Sequence, residues 1–302
     1  MREQALTPYW RNALQAGIVR PFGEAEAKAA LPPRPFNAHK GDCGKGLLLA
    51  GSPQYPGAAL LAGQSALAGG CGVLTALSTE SARPYFARLP EAVFRSVGES
   101  WQKNALPLLE ETLPGKSALA LGCGWGTDPD PAGGTFSALL EAAFSSGLPA
   151  VADADGLNHM ARRRELLKKL HGRIILTPHS GEAARLARKT TGEILQDPLT
   201  MARAMAEDWG CVVLLKGACT VIAAPDGRLT FNGIGTQGMA TAGSGDALTG
   251  VVLALLAQGL TPQDAACCAV WLHGAAADRC ARRLSEATML PHDILTDLSG
   301  IW

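Results

Sequence analysis

The stretch NGIGTQGMATAGSGDALTG at residues 232–250 sets a glycine-rich loop directly before an apolar helical pattern. Leu248, Val251, Val252, Leu255 and Leu256 follow helical spacing, which predicts a helix starting around Ser244–Asp246. Glycines ahead of that start leave main-chain N–H groups uncovered. Those amides and the helix dipole favour negative charge, so the loop reads as a cradle for an oxyanion or a phosphate. Asp246 stands in the first turn, where a carboxylate stabilises a helix by about 0.3–1 kcal/mol. Beside a bound phosphate the same group can accept a proton from a substrate hydroxyl, or orient that hydroxyl for phosphoryl transfer.

Other polar residues follow short apolar runs. Gly51-Ser52, Gly122-Cys123-Gly124, Asp153-Ala154-Asp155, Pro178-His179 and Lys216-Gly217 each end a strand candidate. In open parallel sheets ligands bind beyond the carboxyl ends of strands, so these five termini are expected to line one crevice. His179, in an expected loop, is read as a hydrogen-bonding partner of substrate, not a base. Asp153 and Asp155 alternate and so face opposite sides; Asp155 either caps the helix that follows or meets substrate, and Asn158 shares that ambiguity. Lys216, after CVVLL and before glycine, is placed to meet a nucleotide phosphate, and Lys40 and Lys45 in HKGDCGKG are further phosphate candidates. The basic run ARRRELLKK at 161–169 alternates with leucines and reads as a solvated helix face.

The elements that must position these groups alternate along the chain. GLLLAG (46–51), SALALG (117–122), PAVADAD (149–155), RIILTPH (173–179) and CVVLLKG (211–217) suit strands covered on both faces. GAALLAGQSALAGG, PLTMARAMAEDWG and TPQDAACCAVWLHGAAADRCARRL read as helices, the last with Thr261 as N-cap and Pro262 at the first helical position. CTVIAAPDGRLTFNG reads as a hairpin turning at PDG. The fold class is therefore α/β, a layered fold around a largely parallel central sheet with a late antiparallel strand pair. Residues 1–35 are expected to form a helical extension, with helices around Pro8–Ala16 and Glu24–Ala30 and the stiff connector LPPRP. The main domain is expected over 36–302.

With 27 basic and 27 acidic residues the chain has no net charge that would attract nucleic acid or an acidic membrane. The eight cysteines form no C-x-x-C pair and read as reduced core thiols, which implies a reducing, cytoplasmic compartment. The N-terminus lacks the apolar core of a secretory signal, and no run approaches the length of a membrane span.

From about Phe36 onward the chain resembles the ADP/ATP-dependent NAD(P)H-hydrate dehydratases, a branch of the ribokinase-like superfamily. The motifs are HKGDCGKGLLLAGS (39–52) with YPGAALLAGQSALAGG (55–70), GCGWG (122–126), DADGLN (153–158), TPHSGE (177–182), and KGACT (216–220) with NGIGTQGMATAGSGD (232–246). The resemblance implies a three-layer α/β/α fold and Asp246 as the principal catalytic residue. It implies that the hydrated nicotinamide nucleotide lies near Ala58, Gly126, His179 and Asp246. The adenine nucleotide would lie along Lys216, Gly217, Ala218, Cys219 and Thr220 and at Gly245.

The reaction implied is ADP- or ATP-dependent dehydration of NAD(P)H hydrate, with Mg²⁺ on the nucleotide phosphates, Glu182 as its candidate carboxylate, and a homotetramer as the common assembly. Cys123 stands where the family more often has proline, Gly156 where it has alanine, and Gln237 and Ala242 where it has proline and glycine. Many bacterial homologues carry a fused epimerase domain, whereas about 35 residues precede the dehydratase region here; epimerisation of the hydrate is accordingly expected from a separate protein. A kinase of vitamin-precursor alcohols, from the same superfamily, is the alternative reading.

Overall fold

The computed structural model describes residues 6–102, 104–126 and 134–301; residues 1–5 of the N-terminal extension lie outside the described residues. Ten strands form one sheet: β1 (Arg20–Pro21), β2 (Lys45–Leu49), β3 (Val73–Ser78), β4 (Val93–Ser96), β5 (Ala118–Leu121), β6 (Ala150–Ala152), β7 (Ile174–Leu176), β8 (Val212–Leu215), β9 (Thr220–Ala223) and β10 (Leu229–Asn232). Their order across the sheet is β1-β10-β9-β8-β7-β6-β5-β2-β3-β4. Only the pairings of β9 with β8 and with β10 are antiparallel. The others run parallel.

Alternation along the strands divides the core into two layers. Leu47, Leu49, Leu119, Leu121, Ile174, Leu176, Val213 and Leu215 face one side, and Leu48, Ala118, Ala120, Val151, Ile175, Val212 and Leu214 face the other. Strands apolar on both faces need helices on both, which is why the buried runs carry no polar alternation. One layer contains helices Pro56–Ala68, Ser244–Ala257 and Pro262–Arg283; the other contains Ala105–Thr112, Thr135–Ser145, Asp155–Arg162, Ser180–Ala187 and Pro198–Trp209.

The helix Ser244–Ala257 lies over β5 and against Pro56–Ala68 through small residues. A Cβ on Gly250 would stand 2.1 Å from the Ala62 carbonyl oxygen, and one on Gly69 would stand 2.9 Å from the Ala254 Cβ. Backbones in such contact fix the axial position of the helix, hence of its first turn.

The two expected N-terminal helices form over Pro8–Gln15 and Glu24–Ala30, with β1 between them pairing alongside β10. Trp10 packs on Phe231 of β10, ring centroids 5.2 Å apart. Among the described residues no helix is long and apolar enough to cross a membrane, and all eight cysteines are free thiols.

Candidate functional site

Every strand end named from the sequence lies at the carboxyl edge of the parallel sheet, and helix Ser244–Ala257 starts there with Gly243 in the left-handed region (φ 94°). The Ser244 Oγ at this start is buried and has no hydrogen-bond partner among the described residues. Free amides and an unpartnered hydroxyl at a helix start are the features an anion would satisfy.

Below the loop lies a buried ion pair. Lys216 Nζ donates to Asp153 Oδ1 at 2.8 Å. Thr249 Oγ1 donates to Asp153 Oδ2 at 2.8 Å. Asp153 is 1% exposed; burial alone would raise its pKa, but Lys216 and these hydrogen bonds hold it below the ordinary carboxylate range. Burial pulls the Lys216 ammonium down, and Asp153 and Glu182 more than offset that pull, leaving it above its ordinary value. Gly245 sits directly over the pair, for a Cβ there would stand 3.3 Å from Lys216 Nζ and 3.5 Å from Asp153 Oδ2. The cradle and the cation thus adjoin.

Asp246 meets the opposite pressure. Burial first, and then the charge of Asp153, push its pKa up to about 7, against the lowering effects of a Cys123 hydrogen bond and of Lys216. A half-buried carboxylate with that pKa can take a proton near neutrality and give it up again, which suits a general base.

His179 is not a loop residue. It is the N-cap of helix Ser180–Ala187: its Nδ1 accepts from Gly181 N at 3.0 Å, and its own N donates to Glu182 Oε2 at 2.9 Å. Burial, Lys216 and Arg185 lower its pKa, so the ring is neutral; with Nδ1 accepting, Nε2 carries the hydrogen and can donate to a ligand. It pairs alongside Lys216 in an isolated parallel bridge.

Glu182 is 5% exposed, with Oε1 3.5 Å from His179 Nε2. Burial raises its pKa to about 7. Among the described residues no three His, Cys, Asp or Glu side chains group into a metal site. A single buried carboxylate beside an anion cradle nevertheless fits Mg²⁺, which keeps several waters and relies on substrate phosphates.

Ala58 and Gly126 form the neighbouring wall. Gly124 lies so close to Ala58 that a Cβ would stand 2.6 Å from the alanine Cβ. Gly126 N donates to Asp155 Oδ2 at 2.8 Å. Asp155 thus holds a loop amide from the first helical position of Asp155–Arg162, while Ala154 occupies the N-cap at φ 49°. Asn158 Nδ2 donates to Asp155 Oδ1 at 3.4 Å, and Arg185 Nε donates to Asn158 Oδ1 at 3.0 Å, so both side chains brace the wall. Gly217 and Ala218 are exposed, Cys219 is half-buried, and the Thr220 hydroxyl closes the loop by donating to Gly217 O at 3.2 Å.

Lys40 is not brought to this cluster. It precedes β2, at the amino edge of the sheet, where its carbonyl lies against Gly72; the adjoining Gly44 lies against Ala257, the far end of the helix whose first turn holds Asp246. Fourteen helical residues, about 20 Å, separate the two edges. Two neighbours of the site escaped sequence reasoning. Thr249 follows Asp246 by three residues, and helical spacing alone would have placed it on the same face. His273, buried with Nε2 unpartnered among the described residues, carried no motif that would mark it.

Fold and site together define a ribokinase-like α/β/α protein whose glycine-rich helix start carries a carboxylate above a half-buried lysine. A family model described as NAD(P)H-hydrate dehydratase matches residues 46–299, and the chain belongs to that family. The crystal structure of an ADP/ATP-dependent NAD(P)H-hydrate dehydratase from Bacillus subtilis, co-crystallised with ATP/Mg²⁺, superposes with a TM-score of 0.82 at 33% identity, covering 94% of this chain and 98% of that one. The ADP-dependent (S)-NAD(P)H-hydrate dehydratase of Bacillus subtilis is 36% identical over 280 residues, 92% of this chain and 96% of that protein. The bifunctional NAD(P)H-hydrate repair enzyme of Moorella thermoacetica is 41% identical over 276 residues, 90% of this chain and 51% of that protein, so the chain spans about half its length.

Proposed function

We propose that this protein dehydrates the S-epimer of NAD(P)H hydrate, using ADP or ATP. The reaction balances as hydrate plus ADP giving NAD(P)H, AMP and phosphate. Hydroxide leaves poorly, since bulk water has a pKa of about 15.7, whereas a phosphate group has a second pKa near 6. Transfer of the terminal phosphoryl group to the hydrate's hydroxyl turns that oxygen into a competent leaving group, and the ring nitrogen's lone pair then expels phosphate and restores the dihydropyridine.

The residues divide the work as follows. Asp246 takes the hydroxyl proton as the P–O bond forms. The amides of Gly243, Gly245 and Asp246 and the Ser244 hydroxyl receive the transferring phosphoryl oxygens, Lys216 adds positive charge beneath them, and the neutral His179 donates a hydrogen bond to the hydrate. Ala58 and Gly126 offer a wall without bulky side chains for the nicotinamide nucleotide, and Lys216–Thr220 with Gly245 borders the adenine nucleotide. Mg²⁺, bound with the nucleotide through Glu182, would neutralise phosphate charge. Eight free thiols accord with a cytoplasmic location. A tetramer and a functional link to an NAD(P)H-hydrate epimerase belong to the same reading.

One observation carries it: Asp246, with its pKa near 7, sits in the first turn of a helix whose Gly245 lies over the Lys216–Asp153 pair. The test is to mix the protein with chemically hydrated NADH, Mg²⁺ and ADP or ATP and follow the reduced-nicotinamide absorbance. Recovery of that band with stoichiometric phosphate is expected. A folded sample giving no recovery with either nucleotide, or accumulating a stable phosphorylated alcohol, overturns the reading.

A further inference from the structure

The glycine loop that enters helix Ser244–Ala257 is held from outside by the segment that follows helix Pro262–Arg283. Thr236 caps a short 3₁₀ turn, Gln237–Met239, in this loop. Its hydroxyl donates to Glu286 Oε1 and accepts from Gly238 N at 3.4 Å. Gln237 Nε2 donates to the other carboxylate oxygen, Glu286 Oε2, at 2.7 Å. One carboxylate thus receives two consecutive side chains. The contact continues towards the helix. A Cβ on Gly238 would stand 2.6 Å from the Glu286 carbonyl oxygen, and one on Gly243 would stand 3.4 Å from Pro291 Cγ. Inside the loop, Thr241 Oγ1 donates to Gly238 O at 3.2 Å, and Ser244 N donates to Thr241 O at 3.2 Å. Hydrogen-bonded residues therefore lead from Glu286 to Ser244. The support is itself braced: Met289 N donates to Ser285 O at 3.0 Å, and the Ser285 and Thr288 hydroxyls lie 2.9 Å apart.

We propose that Glu286 is a positioning residue for the anion cradle: by clasping Thr236 and Gln237 it fixes the loop that presents the Gly243 amide and the Ser244 hydroxyl to the transferring phosphoryl group. The proposal rests on the cradle receiving that group in the dehydration. The cradle then has two supports. Packing of Gly250 on the Ala62 carbonyl fixes the helix, and with it Gly245 and Asp246; the clasp fixes the residues that lead into it. A carboxylate suits this task because it offers two acceptor oxygens and no hydrogen to two converging donors, and its charge strengthens both bonds. Without it the buried Thr236 hydroxyl loses its acceptor, and the turn is free to shift. Donors aimed at a developing charge act only while they are held in place.

The experiment compares hydrate turnover in the parent, Glu286→Ala, Glu286→Gln, Thr236→Val and the double variant Glu286→Ala/Thr236→Val, with the stoichiometry of ADP binding measured by calorimetry as a count of folded sites. Glutamine keeps the shape: its oxygen accepts from Thr236, and its amide donates to a Gln237 amide turned about. In Glu286→Ala, kcat should fall roughly ten- to hundredfold, up to the loss of one transition-state donor, while KM for ADP changes less than about threefold. The ADP stoichiometry should equal the parent's. Glutamine should restore kcat to within about threefold, and the double variant should lie within about twofold of Thr236→Val, since both remove the same link. An unchanged kcat in Glu286→Ala, a fall matched by lost ADP stoichiometry, no recovery in Glu286→Gln, or additive losses in the double variant overturns the proposal. If the parent does not act on the hydrate, the functional reading fails instead. The clasp is then decided by amide hydrogen exchange: faster exchange over residues 236–244 in Glu286→Ala, restored in Glu286→Gln, supports it, and unchanged exchange refutes it.

Discussion

Replacing Asp246 by asparagine should make the protein more stable while abolishing its activity, and the gain should depend on pH in one direction. The folded-state pKa of Asp246 is raised from the ordinary 3.8 to about 7, by burial and by Asp153. Between those values the folded protein binds a proton that the unfolded chain does not, so stability falls as pH rises through the window and is flat above it. At about 1.36 kcal/mol per pH unit the full penalty of ionising Asp246 is about 4 kcal/mol; solvent at the half-buried carboxylate screens part of it, leaving about 1–3 kcal/mol. Asparagine keeps the shape and carries no charge. The assay is urea unfolding of nucleotide-free parent and variant at pH 4.5, 6, 7 and 8. The variant should lead by that margin at pH 7 and 8, and the lead should shrink steadily toward pH 4.5. A variant less stable than the parent at pH 8, or a lead that does not change with pH, refutes the electrostatic account of the site.

Lys216→Met removes the cation paired with the 1%-exposed Asp153. It should cost about 3–5 kcal/mol at neutral pH, the penalty of a buried charge left alone, and calorimetry should show weakened ADP binding. An unfolding midpoint equal to the parent's would contradict the buried pair. Gly122→Ala forces a side chain onto a residue at φ 105° whose Cβ would stand 2.2 Å from the Asp153 carbonyl oxygen. The backbone carrying Asp153 must shift, so the variant should lose at least about 1–3 kcal/mol from backbone strain and most of its activity; a fully active, equally stable protein would be inconsistent with that approach.

The parts of the fold legible in the sequence were those whose burial is two-sided. β2, β5, β6, β7 and β8 announce themselves because helices on both faces demand unbroken apolar runs, and the β9–β10 hairpin is marked by its turn residues. β3, β4 and β1 were not read. β3 mixes Thr75 and Ser78 into its run, β4 is an edge strand with Val93 exposed, and β1 is only two residues held by a parallel partner more than 200 positions away.

The site divides similarly. The glycine loop and Asp246 are local in sequence and could be interpreted together. The Lys216–Asp153–Thr249 linkage joins residues 63 and 96 positions apart, and only the order of strands across the sheet brings them into contact. His179 illustrates a different shortfall. Its imidazole nitrogen does the work usually left to serine or aspartate at a helix start, and sequence rules for capping do not look for histidine there. Lys40 shows the converse: a basic residue beside glycines looks like a phosphate contact until the direction of the following strand puts it at the wrong edge.

The seam of small residues between Pro56–Ala68 and Ser244–Ala257 also constrains how this protein can move. With Gly250 against the Ala62 carbonyl and Gly69 against Ala254, neither helix can slide or tilt without backbone collision, so the turn that holds Asp246 behaves as a stationary reference. On the proposed reading, closure around a nucleotide would come from the segments facing it, among them the exposed Gly217–Ala218 reversal, so that ligands would be gathered toward a fixed acid.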